Sequence, residues 1–210
     1  MDEFGNWKLD HIVVTARTLE EGAAHVKEQL GVDVPAGGEH PQMGTHNRVL
    51  TLGYRQYLEI IAIDPQAPAP EGARWFNLDQ FDGEPTLSTW VIRSKDVKSD
   101  SDHAHPHSGE VHRMSRGRME WLITITPDGL MPMEGAFPTL IEWPRGVHPT
   151  ASMPDLGFRL LSLTIEHPQA QDLRELIGRR LNMSKIDIRE GNEKKIRAEI
   201  VTPGGLRVLT

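Results

Sequence analysis

One order of hydrophobic and polar positions recurs along the chain. Residues 8–16, around Leu9-Asp10-His11-Ile12-Val13-Val14, form an apolar, β-branched run that reads as a buried strand. Ala23, Ala24, Val26 and Leu30 then fall at helical spacing. Thr18 is the expected N-cap, Glu20 and Glu21 suit the positive end of the helix dipole, and Gly31 is a natural stop. A short strand is expected at 32–34. The Gly- and Pro-rich stretch from Pro35 to Gly44 is expected to be a loop. Residues 46–52 and 56–63 read as strands joined through Gly53-Tyr54-Arg55, a hairpin spacing. The first unit is therefore β-α-β-β-β over residues 8–64.

After a Pro/Ala linker, Pro65 to Pro70, the pattern predicts a short helix over Ala73 to Leu78. A second unit over 85–143 follows. Leu87 to Ile92 is a strand, Lys95 to Ser101 is a short polar segment in the place of the helix, and strands are expected at Glu110 to Met114, Met119 to Ile125 and Pro138 to Trp143. A third unit over 159–210 has a strand at Leu160 to Ile165. Its amphipathic helix spans 168–181, with Leu173, Leu176, Ile177 and Leu181 on one stripe. Strands follow at 185–188, 196–201 and 206–209. The order repeats at roughly 75 residues, a fold-level signal that outweighs any single motif. The expected fold is α+β, built from three related β-α-β-β-β modules, and not a doubly wound parallel sheet.

Composition narrows the chemistry. The chain has 210 residues, 38% hydrophobic and 25% charged, enough to bury a core. A net charge of −7 with no long basic run argues against nucleic acid as a partner. The absence of cysteine excludes disulfides, thiolate nucleophiles and iron–sulfur ligation. No secretory signal or apolar run of about 20 residues is visible, so no membrane partner is expected and the cytoplasm is the expected location.

His11 and Glu59 stand out because each interrupts an apolar strand, and a carboxylate inside Leu58-Glu59-Ile60-Ile61 needs a partner. Strand alternation puts His11 with Val13, and Glu59 with Tyr57 and Ile61. Ile12, Val14, Leu58 and Ile60 then pack under the helix. If Leu50 and Leu52 do the same, Asn47 points into a pocket and His46 away from it. His40, His46, Asn47 and Arg48 form a cluster suited to gripping a carbonyl or oxyanion; side-chain bonds that stabilise a loop are the competing reading. Trp90, Trp121 and Trp143 suit either pocket walls or core packing. His103, His105, His107 and His112 have the composition of a metal tract, but Pro106 and the surrounding Asp and Ser favour a solvated loop over 99–109. Arg116 and Arg118 read as surface positions able to reach an anionic ligand.

Several of these segments together resemble the vicinal oxygen chelate superfamily, in its bacterial glyoxalase-like branch. They are Leu9-Asp10-His11-Ile12-Val13-Val14, Gly38-Glu39-His40-Pro41-Gln42-Met43-Gly44-Thr45-His46-Asn47, Tyr57-Leu58-Glu59-Ile60-Ile61-Ala62-Ile63-Asp64-Pro65, Ser88-Thr89-Trp90, Leu140-Ile141-Glu142-Trp143 and Thr202-Pro203-Gly204-Gly205. The resemblance implies half-barrel sheets that enclose a pocket, with helices on their outer face. It implies a divalent cation (Mn, Fe, Ni or Zn) held by His11, Glu59 and Glu142, or no metal at all. The fourth ligand position falls on Trp90, which cannot bind one. Glu59 and Glu142 are the implied proton-moving carboxylates, and His46, Asn47, Trp90, Trp121 and Trp143 the implied ligand contacts. The expected partner is a small oxygen-bearing molecule, and a homodimer is compatible with the family. The implied function is a metal-assisted lyase or isomerase of glyoxalase type. The alternatives are a metal-free binding or sequestering protein and a ring-cleaving dioxygenase, which would need a second histidine.

Overall fold

A computed structural model describes residues 7–104 and 108–210. The elements are β1 (Lys8–Thr15), α1 (Leu19–Leu30), β2 (Ala36–His40), β3 (Thr45–Gly53), β4 (Gln56–Ile63), β5 (Thr86–Arg93), α2 (Val97–His103), β6 (Glu110–Arg116), β7 (Met119–Ile125) and β8 (Thr139–Glu142). The third unit contributes β9 (Arg159–His167), α3 (Ala170–Ile177), β10 (Ile186–Glu190), β11 (Lys195–Thr202) and β12 (Gly205–Leu209). Helix α1 starts where Thr18 accepts a hydrogen bond from the Glu21 amide and ends at Gly31, which takes the left-handed conformation at φ 73°.

The first two units join into one eight-stranded sheet in the order β2-β3-β4-β1-β5-β8-β7-β6. In each, the first strand pairs in parallel with the last, and the two first strands, β1 and β5, meet antiparallel at the centre. The sheet curls until its edges approach: the Ser115 amide at the end of β6 donates to Gln42 Oε1, just past β2, at 2.9 Å. The result is a nearly closed barrel. Its interior holds Val13, Ile61, Val91, Trp121, Ile123, Ile141 and Trp143, while Ile12, Val14, Leu50, Leu58, Ile60 and Trp90 belong to the cluster on the outer face, where α1 packs on β3 and β4. No helix among the described residues is long and apolar enough to cross a membrane.

The third unit keeps the element order but not the pairing. Strand β9 pairs in parallel with β10, directly after the helix, giving the order β10-β9-β11-β12. The reason lies in the strand after each helix. Both are edge strands, but β10 buries Ile186 and Ile188 alternately and lies beside the first strand of its unit, whereas β2 buries only His40 and lies beyond β3. The inner face of this second sheet, with Leu163, Ile165, Ala198 and Ile200, joins the cluster on the outer face of the barrel.

Three local expectations are corrected. No strand forms over 32–34. The glycine-rich segment expected as a loop contains β2. The helix expected over Ala73 to Leu78 does not form: Phe76 and Asn77 both sit at φ 56°, which breaks helical continuation, and only one tight turn at Leu78–Gln80 remains. The segment over 99–109 is mixed. α2 runs to His103, Ser108 is buried, and His105 and His107 lie outside the described residues.

Candidate functional site

The site begins with an irregularity in β1. Leu9 pairs with Ile92 and His11 with Val91, so Asp10 is the extra residue of a β-bulge. The bulge lets two consecutive side chains turn into the protein: Asp10 is 0% and His11 3% exposed. Asp10 Oδ1 lies 2.8 Å from His11 Nδ1. Its other oxygen receives Arg93 Nη1 at 2.9 Å and lies 3.1 Å from His148 Nε2. The far side of the His11 ring faces Glu59 on β4, with Nε2 3.4 Å from Oε2. Tyr57, two residues earlier on β4, stacks on the same imidazole at 4.4 Å between ring centres.

Asn47 on β3 continues the chain. Its amide donates to Glu59 Oε1 at 2.5 Å, and its Oδ1 accepts the Gly38 amide at 2.8 Å and Arg116 Nη1 at 3.4 Å. A side chain at Gly37 would collide with Asn47, and one at Gly38 would press on Arg116. The two glycines that looked like loop residues therefore admit polar side chains from β3 and β6 against the backbone of β2. His40 packs edge-on against Trp75 and Trp121.

Burial alone would strip the charge from these groups, and their partners prevent it. Desolvation pulls the His11 imidazole down, but its bonds to Asp10 and Glu59 outweigh that and lift it to about 9. Burial likewise pushes Glu59 up, yet His11 and Asn47 hold it at about 2. Asp10 is held well below the usual carboxylate range by His11 and His148 against the same desolvation. At neutral pH the site thus contains an imidazolium between two carboxylates, with Arg93 behind it. For His40 desolvation outweighs the pull of Glu59, with Arg116 acting in the same direction as burial, and lowers it to about 4, so it is neutral.

His11, Glu59, Asn47, Tyr57, His40 and Arg116 line one cavity with Trp75, Trp121 and Trp143. The cavity is small, about 30 Å³. Pro149 and Met153 line it from the connection between β8 and β9. The indole N–H of Trp75 is buried with no partner among the described residues.

The expected residues divide. His11, Glu59, Asn47, Trp121 and Trp143 come together. Glu142 does not: on β8 the neighbours Ile141 and Trp143 face the barrel, so Glu142 turns outward and accepts the Val97 amide at 2.8 Å, at the start of α2. Trp90 also faces outward, fully buried in the other cluster, with its indole donating to the Ala136 carbonyl at 2.9 Å. His46 is half-buried and not in the cavity lining. Asp10, Tyr57, Arg93 and His148 enter the site without having been singled out. Asp10 carried the same signal as Glu59, an acid in an apolar strand, but alternation assigns it to the helix side, and a bulge leaves no trace in sequence.

The expected three-donor metal site does not fit these residues. Among the described residues no three His, Asp or Glu side chains converge as metal ligands. Both nitrogens of His11 already face carboxylates, and the equivalent interior positions of the second unit hold Val91 and Ile141.

The family model described as "Glyoxalase-like domain" matches residues 9–181. No curated protein matches the chain. Among solved structures, a hypothetical protein from Staphylococcus aureus aligns with TM-score 0.62 at 13% identity, over 90% of this chain and 88% of that one. A methylmalonyl-CoA epimerase from Streptomyces coelicolor, in complex with 2-nitronate-propionyl-CoA, aligns at TM-score 0.44 and 16% identity over 67% of this chain and 96% of that one. The Mycobacterium tuberculosis methylmalonyl-CoA epimerase aligns at TM-score 0.40 and 14% identity, over 64% and 85%. With the family model spanning most of the chain and the barrel built from two joined β-α-β-β-β units, the protein belongs to the glyoxalase-like domain family.

Proposed function

We propose that the barrel binds a small oxygen-bearing molecule and that Glu59 moves a proton on the carbon next to its carbonyl or carboxylate group. This is isomerase or lyase chemistry carried by the chain's own acids and bases. The observation that carries the reading is Glu59 itself. It is a buried, ionised carboxylate held by Asn47 and His11 beside three tryptophans in a cavity. At 3.4 Å the His11–Glu59 contact is longer than a charge-assisted bond, so the imidazolium N–H is loosely held and can donate to a ligand oxygen. Arg116 has no carboxylate partner among the described residues and suits a ligand oxyanion. In the step proposed, the C–H proton passes to Glu59 and the bonding pair moves onto the ligand oxygen. That oxygen becomes an enolate facing His11 and Arg116, and Glu59 then returns the proton. Asp10 keeps the imidazole charged and oriented.

A second reading, binding without chemistry, is favoured by the depression of Glu59 to about 2, which makes it a weak base. One experiment separates the two. Small oxo- and hydroxy-acids are screened by ligand-observed NMR, and binders are followed in D₂O for deuterium entering next to the carbonyl. Catalysis predicts exchange that falls about 10²–10⁴-fold in Glu59→Gln while binding persists. Unchanged exchange in that variant removes Glu59 from its role. A binder that the wild type never exchanges establishes sequestration instead.

A further inference from the structure

The protein is acidic overall, yet one cleft is strongly basic. At the end of the barrel where β1 begins, a cleft of about 700 Å³ is lined by Lys8, Arg55, Arg93, Lys95, Arg145 and Lys185, with Glu142 as its one carboxylate. That carboxylate is already bonded to the start of α2. The six cations come from five separate places: the start of β1, the β3–β4 turn, the end of β5, the segment after β8, and the approach to β10 in the third unit. Arg93 is paired with Asp10, but the other five make no ion pair among the described residues. Six cations are thus held together beside one lining carboxylate and the Asp10 partner of Arg93.

Arg55 adds an independent observation. It sits at φ 54°, in the left-handed region that favours glycine, at a turn where nothing in the backbone requires an arginine. Its guanidinium donates to the Val147 carbonyl at 3.2 Å, and its Nε is buried with no partner. A strained residue carrying an unmet donor beside several unpaired cations describes a receptor for an anion.

We propose that this cleft binds a small molecule carrying a phosphate or diphosphate group, at a site separate from the barrel interior and sharing Trp143 with it as a wall. A phosphate fits better than a carboxylate because it carries close to two negative charges at neutral pH and three strong acceptor oxygens. Lys8, Arg55, Lys95 and Arg145, with Lys185, whose ammonium also donates to Gln56 Oε1 at 3.1 Å and to the Leu160 carbonyl at 2.8 Å, approach from different directions and match that charge and that number of acceptors. A volume of about 700 Å³ suits a metabolite. Crowding is visible in the neighbours: burial and then Arg159 lower Lys185, and Arg55 is among the charges lowering Arg93 and His148.

The test is calorimetric titration of the full chain with sodium pyrophosphate in about 0.15 M salt, where loose surface attraction is screened. One saturable site is expected. Arg55→Gln/Lys185→Gln should weaken it about tenfold or more, and so should Lys95→Gln/Arg145→Gln, which alters only exposed side chains and decides the matter if the first pair does not fold. Arg113→Gln/Arg189→Gln removes the same charge elsewhere and should leave affinity unchanged. The proposal is overturned if the wild type shows no saturable binding, if the distant pair weakens it as much as the cleft pairs, or if acetate competes as well as pyrophosphate.

Discussion

His11 carries its proton at neutral pH because two carboxylates outweigh its burial, and this makes stability depend on pH in two windows. The folded imidazole titrates at about 9, above the ordinary 6.5, so its contribution is complete below about 6.5 and lost as pH rises through 9. Glu59 moves the other way, from 4.5 to about 2, so its contribution is present above 4.5 and lost as pH falls toward 2. Urea midpoints measured across pH should therefore decline on both sides of neutrality. In His11→Gln/Glu59→Gln, which keeps polar groups at both positions, the alkaline decline should flatten. An unchanged alkaline slope would show that the imidazolium is not held as described.

At the scale of elements, small departures from regularity decide which residues meet. The bulge at Asp10 converts an alternating strand into one that turns an acid and a base inward together. On β8 the opposite holds: strict alternation sends Glu142 out to the first turn of α2, where it accepts an otherwise orphaned amide. Glu142→Ala should thus cost about 1 kcal/mol of stability, as lost caps do, and leave ligand affinity in the barrel unchanged. Chemical denaturation and the NMR binding screen give the two readouts. A loss of ligand binding without a loss of stability would return Glu142 to the site.

For the whole molecule, the third unit acts as a cover. Its sheet packs β9 on β3 and β11 on β5, so Leu163, Ile165, Ala198 and Ile200 join the apolar cluster on the outer face of the barrel. Removing it would expose a contiguous apolar face of the kind that drives association. A chain ending after residue 157 should elute as aggregates and bind a hydrophobic dye, whereas the full chain should do neither. A monomeric, cooperatively unfolding truncated chain would mean that the barrel closes its outer face by itself.

The sequence by itself determined the local periodicities. Apolar runs and caps located α1 and most strands, the repeated order announced three units of one element order, and the isolation of His11 and Glu59 in apolar strands pointed to the candidate site. These are properties of neighbours along the chain, and the energies behind them, burial and capping, are local. What only the tertiary structure decided depends on pairing. The bulge that recruits Asp10, the outward turn of Glu142 and Trp90, and the different pairing of the third sheet all follow from register between distant strands. The basic cleft is the clearest case. No run of the chain is basic, yet five distant segments bring six cations to one surface, because charge adds up in space and not along the backbone.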